Sequence, residues 1–444
     1  MRDLGGAARA RAAMTASGLG RAGYRLARAR SGQVAIIFGL AVVPMMFAAG
    51  AAVDYGRRNA AKSQLDAALD AAVLAVVSQK SNTISAVSLT NAETQFRAEA
   101  AKVPGVSNVT FVPSPVNGVS NLSLSATYTA KVRTMLSGMM KVPTMAIAGM
   151  SASQRNIFQY IDFYLLLDNS PSMGLAATDA DVTKMMNATK GTSPPDGCAF
   201  ACHKLNGNGT ENTSDYYHVA QNNGVKLRIH VLRDAVAALI DKAKSSMTLS
   251  QQFRMETWTF SDIQTRLTAL TTSLDQAKTD SARIDLAYSY QSEADNQTAY
   301  ERAIAKMNAT VPASGTGVTA TSPIRFLFFV TDGVQDTPID GSVSNPSAGN
   351  TFGSNRFISP IDPTTCKAMK DKGIRIGIVY TAYLPLYTDG FYNAHVKPFE
   401  ANIPTTLKTC ASDGLFFPVT TGGDITAAML KLFETAVASV RITN

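Results

Sequence analysis

Apolar and polar positions change period several times along the chain, and each change marks an element. Twenty residues without a charge, Val34 to Val53, come first. Beyond Asp54, apolar residues recur at Leu65, Leu69, Ala72, Val73 and Val76, with Arg57, Arg58, Lys62 and Asp66 on other faces. The spacing predicts one long helix from about residue 34 to 77, serving as a stalk or packing its outer half on the next domain. Ala92 to Lys102 predicts a short helix, and Leu122 to Val132 alternates as a half-buried strand. Thr144 to Ser153 predicts a second strand. Pro104, Pro113 and Pro115 with Gly105 and Gly118 predict a loop before these two strands.

From residue 157 the pattern becomes that of a buried sheet. Phe163 to Leu167 is an unbroken apolar run that enters Asp168, Ser170 and Ser172. Such a run, bounded by turn residues, predicts a strand covered on both faces. Ile324 to Val330, ending in Thr331-Asp332-Gly333, predicts another, as do Ile374 to Tyr380 and Leu415 to Val419. Phe253 to Phe260 alternates and holds the only tryptophan, Trp258, as a core or flanking residue. Helical stripes fall at residues 227–243, at Ala299 to Met307 just after Asn296-Gln297-Thr298, and at 424–440. Strands alternating with helices predict an α/β fold with a mainly parallel, doubly wound sheet. The Asn-, Thr- and Gly-rich stretch 175–225 shows no periodicity and is expected to be a surface insertion. Tyr383, Tyr387, Phe391 and Tyr392 form an aromatic loop that would meet a partner or pack on the insertion.

Charge sharpens the picture once it is located. The net charge is +8, but residues 1 to 33 hold seven arginines and one aspartate. The basic balance belongs to a tail and excludes a nucleic-acid domain. Arginines ahead of Val34 to Val53 predict a membrane anchor with its amino side in the cytoplasm, in contact with the lipid bilayer. A signal peptide would have a shorter apolar core. The remainder would then be periplasmic, where Cys198, Cys202, Cys366 and Cys410 favour disulfides, with Cys198–Cys202 and Cys366–Cys410 as the expected pairs. Two rival uses of the first pair are a haem attachment motif, for which Cys198 and Cys202 stand one residue too far apart, and a zinc site with His203 and His218, whose spacing matches no standard finger.

Asp168, Ser170 and Ser172 are hard oxygen donors at a strand's carboxyl end, where open α/β sheets carry their chemistry. A capped turn is the plainer alternative. Together with Thr298 and Asp332, these residues resemble the von Willebrand factor A domain, whose metal-ion-dependent adhesion site uses Asp-x-Ser-x-Ser, a distant Thr and a later Asp. The resemblance implies a doubly wound, Rossmann-like domain. It also implies Asp168, Ser170, Ser172, Thr298 and Asp332 as ligands of Mg²⁺ (or Mn²⁺ or Ca²⁺), with Thr310, Thr316 and Thr319 as alternatives to Thr298.

The block from Arg30 to Ala75 looks like the start of TadG-type proteins of the tight-adherence (Flp) pilus system, similar there to TadE-like minor pilin proteins. Prepilin processing after Gly32 would call for Glu five residues on, where this chain has Ile37, so an uncleaved anchor is expected. The resemblances imply a basic tail 1–33, a transmembrane helix 34–53, a pilin-like α+β module 54–156 and a von Willebrand A-like domain 157–444. They imply a single-pass protein of the bacterial inner membrane that is not an enzyme and binds pilus-assembly or pilin-like envelope proteins through an acidic residue. A metal-dependent hydrolase and a mechanical stalk are the rival classes; no nucleophile elbow surrounds any serine.

Overall fold

The computed structural model describes residues 30–118, 121–192, 195–288, 298–339, 349–353, 356–382, 390–420 and 424–442. The tail before residue 30, Asn296, Gln297, Tyr383 and Tyr387 lie outside the described residues. The chain divides into two compact units, one comprising residues up to Gln79 with Thr83–Arg155, the other Lys80–Asn82 with Asn156–Asn444.

The first unit is built on helix α1 (Arg30–Val77), 48 residues with Pro44 inside it. Its amino half shows Val34, Ile36, Ile37, Phe38, Leu40, Met45 and Met46 to solvent. This stretch is long and apolar enough to cross a membrane, with a mean hydropathy of 2.3. Beyond Asp54 the helix changes character: Leu65, Leu69, Ala72 and Val73 are fully buried. They pack on α2 (Ala86–Ala101) and on a four-stranded sheet of β1 (Val106–Ser107), β2 (Val112–Asn117), β3 (Asn121–Arg133) and β4 (Thr144–Asn156). The outer half of α1 is therefore a core element. Along β3, Leu122, Leu124, Ala126, Tyr128, Ala130 and Val132 are buried, as the alternation predicts. Phe96 of α2 lies against both Phe111 and Tyr128.

Two details escaped the sequence pattern. The proline-punctuated segment is strand β2, paired antiparallel with β3. Pro113 and Pro115 stand two apart, so their missing N–H groups fall on one side of an edge strand, where no ladder bond is lost. Gly149 of β4 matters for space: a Cβ there would sit 2.3 Å from Asp66 Oδ1 and 2.5 Å from Tyr128 Cε1. Tyr128 donates to that same Asp66 oxygen at 2.8 Å. Close to the anchor, Asp54 accepts from the backbone N–H groups of Met135, Leu136 and Ser137 at 2.8, 3.0 and 2.7 Å.

The second unit is an α/β fold. Its strands and helices run β5 (Ile161–Asp168), α3 (Asp179–Ala188), α4 (Tyr216–Asn222), α5 (Arg228–Ser246), β6 (Phe253–Phe260), β7 (Gln264–Thr271), α6 (Leu274–Ser281), α7 (Tyr300–Thr310), β8 (Ile324–Thr331), β9 (Val334–Pro338), β10 (Asn350–Phe352), β11 (Arg356–Pro360), α8 (Lys367–Asp371), β12 (Arg375–Thr381), α9 (Ile403–Cys410), β13 (Phe416–Val419) and α10 (Ile425–Ile442). The main sheet has the order β13-β12-β8-β5-β6-β7, parallel except for edge strand β7. Strands β10, β11 and β9 form a small antiparallel sheet.

Every residue of β5 is buried. Phe163, Leu165 and Leu167 face a core completed by Leu232 and Leu239 of α5 and by Leu432 and Phe433 of α10. Tyr164 and Leu166 face the opposite core, with Tyr300, Ile304 and Met307 of α7 and Leu407 of α9. Helices on both faces explain why β5 and β8 read as continuous apolar runs. Trp258 flanks the second core; its indole N–H donates to Glu256 at 2.8 Å. Asp162 is a charged residue inside β5, and Arg254 meets it bidentately at 2.6 and 2.8 Å from β6.

The insertion is less superficial than expected. It contains α3, capped by Thr178, and α4, capped by Asp215. Met185, Tyr217, Ala220 and Val225 join the main core. In the aromatic loop, Phe391 lies against Phe352 and His395, while Tyr392 is buried and donates to Glu400 at 2.8 Å. Both therefore pack inward.

A disulfide joins Cys366 to Cys410, at the end of α9, across 44 residues, with Cα atoms 5.4 Å apart. Closing a loop of that length stabilises by about 4 kcal/mol in the chain-entropy account. Reduction, or Cys366→Ser with Cys410→Ser, is expected to lower unfolding stability by about 2–4 kcal/mol. Denaturant titration with and without reductant reads this, and unchanged midpoints would contradict it. Cys198 and Cys202 are not bridged, contrary to expectation. Cys198 Sγ instead accepts from the Phe200 N–H within its own loop.

Candidate functional site

Chain order across the main sheet reverses around β5: the path moves to β6 and β7 on one side, then returns to β8, β12 and β13 on the other. A crevice therefore opens between the carboxyl ends of β5 and β8, the position where doubly wound sheets bind ligands. Asp168 ends β5, and Asp332 follows β8 by one residue. Gly333 then turns the chain with φ +86, in the left-handed region. A Cβ at Gly333 would stand 2.2 Å from Ile403 Cγ2, so both conformation and space demand glycine there.

The loop after β5 folds back on Asp168. Its Oδ1 accepts from Ser170 N at 3.0 Å and from Ser170 Oγ at 2.5 Å. Ser170 Oγ lies 3.0 Å from Ser172 Oγ. The other oxygen, Oδ2, accepts from Thr331 Oγ1 at 2.9 Å. Thr331 in turn bonds the hydroxyl of Tyr300 and accepts from Gly333 N. Four of the five expected ligands, Asp168, Ser170, Ser172 and Asp332, thus converge at one end of the sheet. Thr298 belongs to the same end: its carbonyl accepts from Asp336 N, four residues beyond Asp332.

Electrostatics single out the two carboxylates. Asp168, Ser170 and Asp332 are fully buried, while Ser172 is half-buried. Burial pushes the Asp168 carboxyl up to about 7, and the negative charge of Asp332 adds to the rise. Asp332 is also raised by burial, against the pull of the Ser172 hydroxyl and the Arg228 charge. Its Oδ1 accepts from Val334 N at 3.3 Å, but its Oδ2 has no hydrogen-bond partner among the described residues. A buried, unpartnered carboxylate oxygen facing a second carboxylate is costly unless a cation neutralises the pair. Oxygen donors alone suit Mg²⁺, Mn²⁺ or Ca²⁺, so the residues fit the expected kind of ion.

Three neighbours were not anticipated. Thr331 positions Asp168, Tyr300 positions Thr331, and Arg228 is a buried cation that donates to the Ala382 carbonyl at 2.9 Å. The position of Thr331 beside Asp332 was the one available signal. Asn169, between Asp168 and Ser170, ties the loop sideways: its amide donates to the Asp285 carbonyl at 3.0 Å, and its own carbonyl accepts from Ala287 N at 2.9 Å.

No curated protein sequence matches the chain. Among solved structures, the von Willebrand factor domain of a type V pilus tip protein from Porphyromonas gingivalis is similar at 11% identity and a TM-score of 0.39, covering 64% of this chain and 97% of that one. Proximal thread matrix protein 1 from the mussel byssus, solved with a zinc-occupied metal-ion-dependent adhesion motif, is similar at 11% identity and a TM-score of 0.33, covering 63% and 46%. A minor pilin from Streptococcus sanguinis is similar at 10% identity and a TM-score of 0.33, covering 76% and 78%. Similarity of that degree says nothing about what this chain binds. Residues 32–79, which span almost the whole of helix α1, match the family described as Flp pilus-assembly TadE/G-like.

Proposed function

We propose that the chain is a membrane-anchored, non-enzymatic protein of Flp pilus assembly or adhesion whose second unit grips a partner through a divalent ion. The observation that carries this reading is the buried pair Asp168 and Asp332, with Oδ2 of Asp332 unpartnered beside two serine hydroxyls. Asp168, Ser170, Ser172, Thr298 and Asp332 would hold Mg²⁺, Mn²⁺ or Ca²⁺. When bound, the ion offers a Lewis-acid position to an acidic side chain of a pilus-assembly or pilin-like envelope protein. The chain's own residues set the specificity: Thr331 and Ser170 orient Asp168, and the half-buried Ser172 lies nearest the solvent side. The match of residues 32–79 to a pilus-assembly family supports the setting.

In this reading Val34 to Val53 crosses the bacterial inner membrane, with residues 1–33 cytoplasmic and residues 54–156 and 157–444 periplasmic. The seven arginines ahead of the apolar run support that orientation. Asp332→Ala, expressed at wild-type level in the membrane fraction of a pilus-bearing strain, is expected to abolish surface pili or adhesion. Normal piliation with that variant would overturn the docking role and favour a stalk.

A further inference from the structure

Four polar side chains of the insertion converge away from the Asp168 site. Asp215, the N-cap of α4, directs one oxygen to each of two imidazoles: Oδ2 lies 3.0 Å from His203 Nδ1, and Oδ1 lies 2.7 Å from His218 Nδ1. The same carboxylate accepts from Lys204 N and His218 N. An ionised carboxylate only accepts, so each Nδ1 carries the proton, and each ring in its neutral form presents its lone pair at Nε2. Both Nε2 atoms face Glu211 Oε1, His203 at 3.6 Å and His218 at 3.3 Å. Glu211 is itself an acceptor. With both rings neutral, three acceptors are directed at one point, an arrangement that a cation between them satisfies.

We propose that His203, His218 and Glu211 form a transition-metal site of the zinc class, with Asp215 as the carboxylate that orients both imidazoles. Two nitrogens and one carboxylate select zinc-like ions over Mg²⁺ or Ca²⁺. The spacing fits: bonds of about 2.0–2.2 Å in a tetrahedron separate ligand atoms by roughly 3.3–3.6 Å. Histidine ligands held through Nδ1 by a carboxylate are a recurring arrangement around zinc. The first ring is also held by tilted ring contacts, with Tyr217 and Tyr288 centroids 4.0 and 4.2 Å from His203. Three protein ligands leave a fourth position for water, on the side of the exposed Glu211. The ion would join the loop around Leu205 and Glu211 to α4, pinning a stretch otherwise rich in Asn, Thr and Gly. Neither Glu211 nor Asp215 was singled out by sequence, which had grouped the two histidines with Cys198 and Cys202.

The test uses the full chain in detergent, stripped by chelator and then given Zn²⁺ or Co²⁺ with excess Mg²⁺ present. One equivalent of Zn²⁺ is expected to be retained, and Co²⁺ should give the visible absorption of a four-coordinate nitrogen–oxygen site. His218→Ala and Glu211→Gln should lose both signals, while Asp215→Asn should weaken Zn²⁺ binding by about 10–100-fold. Asp168→Ala should leave them intact. Absence of Zn²⁺ uptake by the wild type, or uptake unchanged in Glu211→Gln, overturns the site. Uptake lost in Asp168→Ala but kept in Glu211→Gln would assign zinc to the other site and also overturn it. Glu211 is exposed, so its variant remains decisive if His218→Ala fails to fold.

Discussion

Replacing Asp162 with alanine is expected to destabilise the second unit by about 3–5 kcal/mol, the cost of breaking a buried ion pair from one side. Asp162 lies in register with Arg254 of β6 and Arg325 of β8, so a guanidinium flanks it on each side. Arg254 bonds both its oxygens, and Arg325 approaches to 3.4 Å. Asp162 is almost completely buried, and Arg325 nearly so. Removing the carboxylate leaves two cations in the sheet without an ion-pair partner among the described residues. The asymmetry supplies a control: Asp162→Leu combined with Arg254→Met and Arg325→Met removes all three charges together and should recover much of the loss. Trp258 is the only tryptophan and lies on the same strand as Arg254, so its fluorescence reports this unit alone. A loss below about 1 kcal/mol for Asp162→Ala, the range of exposed pairs, would show the network to be incidental.

The second large effect concerns the ion. Mg²⁺ at a hundred times its dissociation constant should stabilise the second unit by about 2.7 kcal/mol, and Asp332→Asn should abolish that gain. Without the ion the sign reverses. The native Asp168 keeps its proton up to about 7, whereas an unperturbed carboxyl releases it near 3.8. Between those values the native state binds more protons than the unfolded state, so ion-free stability falls as pH rises from about 4 to 7. Asp332→Asn removes the facing charge, so in chelator at pH 7 that variant should be at least as stable as the wild type. Melting curves in chelator and in Mg²⁺ at pH 5 and pH 7 read all four conditions. A wild type indifferent to Mg²⁺, or a variant that keeps the shift, would refute the ion reading.

Legibility in the sequence depends on where burial is two-sided. Strands β5 and β8 were legible because helices cover both their faces, and with them came Asp168 and Thr331-Asp332-Gly333. Asp162 was not legible, since its partners, Arg254 and Arg325, are paired with it only by sheet register. Strands β9 to β11 are too short for a period to show. The insertion hid its two helices because α4 has seven residues and because its apolar side chains serve a core shared with α5 rather than a stripe of their own. The cysteine pair misled because spacing alone cannot show where a thiol points. Glu211 and Asp215 are ordinary loop residues until the fold sets them beside two imidazoles.

One helix spans the apolar segment and the first unit without a break. At about 1.5 Å per residue, 48 residues make a rod of roughly 72 Å, some 30 Å of it apolar and charge-free. In mechanical terms this is a lever rather than a tether. A pull or twist on the small β-sheet reaches the anchor through continuous backbone hydrogen bonds, with no slack to take up first. Pro44, which lacks an N–H for the ladder, is where such a rod yields first. The three backbone bonds to Asp54 brace it just past the end of the apolar segment. Bending should therefore concentrate inside the apolar segment, and the folded module should move as one piece with the helix that carries it.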